Sequence, residues 1–470
     1  MKQLRVCAAA AAALWLAGCA ALQPPTSVSA TPPAQWHAPL PHNGAITDLA
    51  RWWQQLSDPL LVELIESAQA LSPTVASARS RIEQARATRV AAGAALLPNL
   101  DAVASASRGN TQPPAPLATT AQGGLQASWE IDVFGGRTAS ARAAQVRLQG
   151  AQAGWHDARV SVAAETANSY VSLRTCERQL AVAANDARSR AETARLTDLS
   201  TEAGFTAPAV AALARASAAE SSARVTQQRA QCDLDVKTLV ALTGVAEPDL
   251  RQKLAAARTE GVQGALFSVA SVPAQVLAQR PDVYQAELEV AAASAEVGAA
   301  RGDRFPRLTL SGSIAAATLR AGGATTDLET WAIGPLALTL PLFDGGRRAA
   351  NVDAAQARYE EAAALYQAQV RNAVREVEQA LVNLESARAR NEDARVAAEG
   401  YRASFAATEA RYRAGLASLV ELEDARRTAL AAETALVTLR RERLAAWIAL
   451  YRATGGGWTR PEATTTAARP

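Results

Sequence analysis

Two halves of this 470-residue chain repeat one set of motifs in the same order. The matching motifs are 208 to 211 residues apart, and each contains a proline or glycine. They are Pro73 with Pro281, Pro98 with Pro306, Gly136 with Gly346, Gly204 with Gly415, and Gly244 with Gly455. A tandem duplication predicts two similarly folded copies that pack with pseudo-symmetry. We place the repeats at 58–248 and 273–457, with a linker at 249–272.

Each repeat contains one very long helical segment. About 68 residues without proline follow Gly136, and a similar run follows Gly346. At 1.5 Å per residue, such a segment predicts a helix roughly 100 Å long. Both runs end near a glycine, Gly204 or Gly415, as helices often do. We therefore expect a long helical hairpin in each repeat.

The returning helices have their own start signals. Ser418 and Glu421 have the spacing of a capping box, and Thr206 with Pro208 fits a helix start. Shorter Ala-rich helices are expected earlier in the repeats, at about 60–96 and 273–303, each ended by a proline.

Two extended segments follow each of these shorter helices. Residues 125–133 alternate strictly between apolar and polar side chains, which is typical of a strand. Residues 308–314 alternate as well, whereas 100–107 and 331–342 do so less clearly. Polar stretches at about 109–123 and 319–330 are expected to link the two strands of each pair.

Two cysteines allow a test of the predicted first hairpin. Cys176 lies 28 residues before Gly204, and Cys232 lies 28 residues after it. In an antiparallel hairpin they lie at the same height on neighbouring helices, which predicts a disulfide. The alternative is a pair of buried free thiols, because unpaired cysteines are commonly buried.

The N-terminus has the pattern of an export signal. Residues 1–18 contain two basic residues and an apolar run, and they end in Leu-Ala-Gly before Cys19. This sequence resembles a lipobox, which implies that Cys19 is acylated and that residues 1–18 are removed. Residues 19–57 then form an N-terminal tether, flexible where proline, serine and threonine are frequent. The tail, 458–470, is expected to be disordered.

Composition argues against several functions. The 48 basic and 45 acidic residues nearly balance, which gives no indication of nucleic-acid binding. His37, His42 and His156 are scattered without the spacing of a metal site, and no catalytic motif is present. We therefore expect no enzyme activity, no metal and no cofactor. Four strands also cannot close a membrane barrel, so strands that span a membrane require several copies of the chain.

Several motifs together resemble a known family, the TolC-type outer-membrane efflux channels in the NodT-like and OprM-like lipoprotein branch. They are Trp52-Trp53, Asp58-Pro59-Leu60, the runs 279–283, 298–301 and 341–347, Leu450-Tyr451, and the run 455–458. The resemblance implies a mainly α-helical protomer with a small β part. Three protomers would supply twelve strands to one outer-membrane barrel, continuous with a periplasmic α-helical barrel.

The resemblance also implies partners and a function. The homotrimer would be a passive, gated conduit for small molecules in a tripartite efflux system. It would meet a periplasmic adaptor and an inner-membrane pump, often of the resistance-nodulation-division type. Alternatives are a channel for type I protein secretion and a lipid-anchored periplasmic coiled-coil spacer.

By the same resemblance, the hairpin tips form the gate and the adaptor contact. The residues expected there are Gly204, Phe205, Arg413, Gly415, Leu416 and Ser418. Related channels often have an acidic residue just after the second tip glycine, where this chain has Leu416 and Ala417. Glu202, Glu409 and Glu421 are therefore alternative gate acids, although each could also be an ordinary solvated helix charge.

Overall fold

The computed structural model describes residues 23–40, 52–56, 58–110, 117–257 and 273–461. The predicted export signal and Cys19 lie outside this range, as do His42 and residues 462–470. The chain divides into two compact units. We call them the sheet unit, with residues 23–30, 79–153 and 284–369, and the hairpin unit, with residues 31–78, 154–283 and 370–461.

Helices and strands follow the same order in both repeats. The first repeat contains α1 (Trp52–Gln55), α2 (Pro59–Leu71), α3 (Pro73–Ala94), β1 (Asn99–Gly109), β2 (Ala118–Ile131), α4 (Gly136–Glu202) and α5 (Pro208–Thr243). After α6 (Glu247–Ala256), the second contains α7 (Pro273–Leu277), α8 (Pro281–Gly302), β3 (Arg307–Ala321), β4 (Ala324–Thr339), α9 (Arg347–Arg413) and α10 (Leu419–Ala453).

The four strands form one antiparallel sheet in the order β1-β2-β3-β4. The strands are longer than the sequence predicts, because much of the polar stretches 109–123 and 319–330 belongs to them. A two-residue turn of Gly322 and Gly323, both with positive φ, connects β3 to β4. Glycine adopts this conformation without a steric penalty, so no longer loop is needed.

Both long helices have the expected length. α4 and α9 are each 67 residues long, and α10 starts with the predicted capping box. Ser418 Oγ accepts from the Glu421 N–H at 3.2 Å, while the Glu421 carboxylate accepts from the Ser418 N–H at 2.7 Å. The prediction that Thr206 takes part in the start of α5 is wrong. The N-cap of α5 is Ala207, without a side-chain bond, and Pro208 starts the helix.

The shorter helices differ from the prediction. The helix expected at 60–96 is two helices that meet at Ser72, whose backbone is extended before Pro73. Residues 278–280 similarly separate α7 from α8. A proline disfavours the helical conformation of the preceding residue and has no N–H to donate, which explains both breaks.

Two segments that the sequence marks as irregular are ordered by packing. Part of the predicted linker is helix α6, because Leu250 and Leu254 are buried in the hairpin-unit core. The N-terminal tether is docked where it is described. In the sheet unit, Ser294 Oγ donates to the Pro24 carbonyl at 2.6 Å. In the hairpin unit, the Glu378 carboxylate accepts from the His37 and Ala38 N–H groups at 2.7 and 2.8 Å.

The hairpin-unit core contains the motif residues Trp52, Trp53 and Tyr451, whose rings lie within 5 Å of one another. The buried Arg280 donates to the carbonyl of Ala453, the last residue of α10, at 2.9 Å, and it pairs with Glu376 at 2.8 Å. Trp458, expected in a disordered tail, donates its N–H to the Gly455 carbonyl at 3.1 Å. Among the described residues, no helix is both long and apolar enough to span a membrane.

Candidate channel surfaces and gate

One face of the sheet is apolar and exposed. Side chains of paired residues point to the same face of an antiparallel sheet. The row Ala102, Leu125, Ile314 and Trp331 is followed by rows that contain Leu100 and Ile333, Trp129 and Leu310, and Ile131 and Leu308. Ile314 is 59% and Trp331 76% exposed. Glu329 lies in the next row beyond Trp331, so the apolar band has a polar boundary there.

The opposite face of the same sheet has mostly small and polar side chains, with Val103, Leu319 and Leu328 as the larger apolar ones. Asp101, Gln126 and Ser313 share one row, and Ser105 and Gln122 share another. No described strand pairs with the outer edge of β1 or of β4. The sheet therefore has a face suited to lipid, a face suited to water, and two edges with unpaired backbone groups.

The two hairpins end in the same backbone motif. Gly204 and Gly415 have φ values of 81° and 72°. The N–H of the next residue closes the motif: Phe205 donates to the Ser200 carbonyl at 2.9 Å, and Leu416 to the Arg411 carbonyl at 2.8 Å. This pattern is the Schellman motif, in which a left-handed glycine reverses the chain after a helix.

The residue after each tip glycine is exposed. In many Schellman motifs this residue packs back onto its own helix. Here Phe205 is 86% and Leu416 69% exposed, so both apolar side chains project from the tips. Arg413 is exposed too and pairs with Glu409 at 3.2 Å, and Ser418 caps α10. The structure thus places the predicted contact residues at the surface of the two tips.

Side-chain bonds join the two hairpins near their tips. Tyr412 Oη on α9 lies 3.0 Å from Thr197 Oγ1 on α4. Arg426 on α10 is only 3% exposed and donates to Ser189 Oγ and Thr193 Oγ1 at 2.9 and 3.0 Å. Burial lowers the pKa of the Arg426 guanidinium, and the Glu423 carboxylate opposes that effect.

A second arginine continues this network. Arg190 on α4 pairs with Asp186 on its own helix at 2.9 Å and with Glu423 on α10. Ser217 Oγ on α5 also donates to the Glu423 carboxylate at 2.8 Å. Charge-assisted hydrogen bonds with little solvent are stronger than neutral ones. Glu423 therefore bonds two neighbouring helices, α4 and α5, at this height.

The three candidate gate acids have different surroundings. Glu421 is engaged in the capping box, and its hydrogen bonds to Ser418 lower the pKa of its carboxyl group. Glu409 is paired with Arg413 and accepts a long hydrogen bond from Ser189. Glu202, at the end of α4, is exposed. Of the three, Glu202 therefore has the carboxylate that is least committed to local contacts.

The two cysteines of the first hairpin are joined in the structure. Cys176 on α4 and Cys232 on α5 form a disulfide with a Cα–Cα distance of 5.5 Å. Both lie in the hairpin-unit core. The corresponding residues of the second hairpin, Ala387 and Arg443, cannot form such a bond.

The chain is similar to known proteins over nearly its whole length. The model of the family described as "Outer membrane efflux protein" matches residues 64–245 and 272–456, one segment in each repeat. The chain belongs to the outer membrane efflux protein family. It is 30% identical to the pyoverdine export outer membrane protein OpmQ of Pseudomonas aeruginosa over 463 residues, which cover 95% of this chain and 96% of OpmQ.

Two further proteins are also similar. Nodulation protein T of Rhizobium leguminosarum bv. trifolii is 28% identical over 421 residues, 88% of this chain and 89% of that protein. The CmeC outer membrane channel of Campylobacter jejuni has a TM-score of 0.83 at 24% identity and covers 94% of this chain and 96% of CmeC, which shows the shared fold.

Membership confirms several predictions. This outer membrane efflux protein is a channel of the outer membrane with a helical tunnel in the periplasm, and it is a component of an efflux system. The predicted fold class is confirmed, and assembly into a trimeric barrel is consistent with the related channel structures. Members of the family are channel proteins, which agrees with the expectation that the chain is not an enzyme.

The network of Arg190, Glu423 and Arg426 is not predicted by the sequence. The spacing of Glu423 and Arg426 suggests only an ordinary pair on one helix face. Their partners on α4 are more than 200 residues away. The contact depends on the burial of an arginine in an Ala-rich helix. That burial becomes visible only when the packing of the four helices is known.

Proposed function

We propose that three copies of this chain form one gated conduit for small molecules across the outer membrane. The two-faced sheet with free edges carries this proposal. β1 of one copy would pair with β4 of the next, so three sheets close a twelve-stranded barrel. Closure satisfies the edge backbone groups, which lipid cannot do. The apolar face then meets lipid, and the row of Asp101, Gln126 and Ser313 lines the lumen.

The native mass of the detergent-extracted protein tests this assembly. Light scattering with the detergent contribution subtracted should give three chains per particle. A monodisperse monomer would contradict shared barrel closure, and with it the proposed conduit.

The gate is the second part of the proposal. The bonds of Tyr412 and Glu423 hold the second hairpin against the first, and opening requires that they break. A partner that binds better to the separated hairpins would shift the population toward the open state. Three copies of Glu202 at the tips would form a ring of carboxylates, which favours cations. Replacing Glu202 by Gln should lower cation selectivity in planar bilayers, and an unchanged selectivity would exclude this ring.

Partner contacts form the third part. The exposed Phe205 and Leu416 are suited to an apolar partner surface, which we assign to the tips of a periplasmic adaptor. The adaptor would be bound to an inner-membrane pump, which the family resemblance implies is of the resistance-nodulation-division type. Cys19 would be acylated and anchor each copy in the outer membrane. Gln23 is packed against Gly298, four residues from the end of α8, and β3 begins soon after it. Cys19 is only four residues from Gln23, which fits an anchor next to the membrane strands.

A further inference from the structure

Three sequence motifs meet at one cavity of about 500 Å³ in the hairpin unit. They are Trp52-Trp53, Leu450-Tyr451 and the run 455–458, and each contributes to the lining. None of them belongs to the strands or to the hairpin tips. A cavity of this size accommodates a small organic molecule. The motifs therefore form a site that has no part in the proposed barrel or gate.

The glycine run after α10 forms one edge of this cavity. Gly456 and Gly457 have positive φ values of 61° and 84°. A Cβ atom at Gly456 would lie 2.5 Å from Val160 Cγ2, so only glycine lets the chain pass over α4 here. Tyr451 Oη donates to the Gly456 carbonyl at 3.2 Å. These contacts fix the segment that ends in Trp458, whose ring centroid lies 6.4 Å from that of His156.

Arg159 on α4 gives the cavity a positive charge in a fixed place. Its Nη2 donates to Gln69 Oε1 at 3.2 Å, and Gln69 Nε2 donates back to the Arg159 carbonyl at 2.9 Å. The guanidinium also lies over the Trp155 ring, 5.0 Å from the centroid, which is a cation–π contact.

Most donors of this guanidinium are unused. Within the described ranges, no carboxylate pairs with Arg159, and its Nε and Nη1 atoms donate no hydrogen bond. An arginine has five N–H donors and no acceptor, so its remaining donors are available to an anion. Hydrogen bonds to a charged acceptor are stronger than neutral ones. Arg159 is therefore suited to bind an anionic group of a ligand in the cavity.

The other polar groups of the lining do not cancel this charge. Burial, and then the charge of Arg159, lower the pKa of the His156 imidazole, so the ring is neutral at pH 7. Glu66 is the acidic residue of the lining, and it is exposed, so solvent screens its charge. Val62 and Ile65 add aliphatic surface. The cavity thus combines one cation with aromatic and aliphatic walls.

We infer that this cavity binds a small aromatic carboxylate, whose ring packs on the aromatic wall and whose carboxylate accepts hydrogen bonds from Arg159. The planar guanidinium presents pairs of N–H groups that match the two oxygens of a carboxylate. The indole and phenol rings of the lining are suited to a flat apolar ring. A free inorganic anion fits less well, because the apolar walls would remove its water without replacing the hydrogen bonds.

The bound molecule would contact three helices at once. Val62 lies on α2, Arg159 on α4 and Tyr451 on α10. A ligand that binds only the folded state stabilises that state as its concentration rises. The inference goes beyond the proposed conduit and does not depend on the trimer, because the site is built from one chain.

Fluorine NMR of the whole, detergent-extracted protein tests the site, with para-fluorobenzoate as the probe. The protein should broaden the probe signal, and an excess of benzoate should restore the line width. The uncharged para-fluorobenzamide, which has the same shape, should bind at least about tenfold more weakly, because it cannot form charge-assisted hydrogen bonds. Micelles without protein correct for partition into detergent.

Two variants then locate the binding. R159Q should weaken it by at least about tenfold, through loss of the same hydrogen bonds. V62W fills the cavity and keeps every charge, and it should also prevent binding. R188Q is the matched control, because Arg188 is exposed elsewhere on α4, and its affinity should equal that of the unaltered protein. Circular dichroism and light scattering verify that each variant is folded and assembled like the unaltered protein.

The outcomes separate this site from the conduit. If the unaltered protein leaves the probe signal sharp, or if R159Q and V62W both bind as well as R188Q, the site is wrong. Equal affinities for the carboxylate and the amide would overturn the role of Arg159. A monomer in light scattering would contradict the proposed trimer, whereas saturable binding that is lost in R159Q and V62W would still support the site.

Discussion

Tyr412 Oη lies 3.0 Å from Thr197 Oγ1 and joins the last turn of α9 to the last turns of α4. Both residues lie within one or two helical turns of the hairpin tips. Next to them, Phe405 and Tyr412 pack on an apolar cluster with Ala194, Ala214, Leu419 and Leu422. All four helices of the two hairpins thus meet at this height, and the phenol is a polar link between them.

The variant Y412F should open more readily, because it removes this hydrogen bond and keeps the ring. A net loss of about 1 kcal/mol per bond corresponds to a roughly fivefold change in the balance of closed and open states for each subunit. Open probability of the reconstituted protein in planar bilayers measures the effect. Y401F is the matched control, because Tyr401 is 46% exposed on the same helix. Equal open probabilities in Y412F and the unaltered protein would argue against this link.

The double variant F205A/L416A should fold normally and lose efflux. Both side chains are exposed, so their truncation removes few contacts within the chain, whereas each apolar anchor of an interface can contribute more than about 1 kcal/mol to binding. Efflux is measured as drug tolerance of cells in which this chain replaces the resident copy, with its amount checked by immunoblot. V396A, exposed elsewhere on α9, is the control. Full drug tolerance in F205A/L416A would show that these tip residues are not needed for the adaptor contact.

Unfolded, unreduced protein should show no reactive thiol at Cys176 and Cys232, and two after reduction. Removal of the bond in C176A/C232A should destabilise the first hairpin by about 4 kcal/mol in the chain-entropy view, given the 56-residue separation. Hydrogen exchange of α4 and α5 measures that loss. The variant A387C/R443C tests whether the two hairpins are equivalent. It should form a second disulfide, between α9 and α10, at the position that corresponds to the natural one. Two thiols before reduction would show that the natural bond is absent.

The partly buried Asp157 gives the hairpin unit a predictable pH dependence. Burial, with a smaller contribution from the Asp282 carboxylate, raises the pKa of Asp157 to about 6. A carboxyl group with a raised folded-state pKa stabilises the fold when protonated, so its contribution is complete below about pH 4 and is lost as the pH rises through about 6. At pH 7, D157N should therefore be more stable than the unaltered protein, by up to about 3 kcal/mol. Thermal unfolding at pH 5 and pH 7 compares them, and an equal difference at both values would contradict the prediction.

The sequence predicts the parts of the fold that depend on local signals. Gly204 and Gly415 end helices because a left-handed residue is needed there, and Ser418 with Glu421 starts one through its own hydrogen bonds. Strand alternation in 125–133 likewise identifies β2. These features follow from residues close together in the chain, so the motif alone is sufficient.

Contacts between distant helices are not predictable in this way. α4 and α9 contain so much alanine that their apolar periodicity is weak, and nothing in the sequence shows which side of Arg190 faces α10. The docked segment from Gln23 to Leu40 was expected to be flexible because of its prolines and serines. It is held instead by partners such as Glu378 and Ser294, which lie more than 250 residues away.

The disulfide gives the two hairpins unequal mechanical stiffness. In the first hairpin, a covalent bond prevents α4 from sliding along α5, whereas α9 and α10 are held by noncovalent contacts alone. A pull applied equally to both tips would therefore shear the second hairpin further than the first. Because only the first of the two repeated hairpins is cross-linked, we expect that any movement that opens the tunnel is larger in the second hairpin.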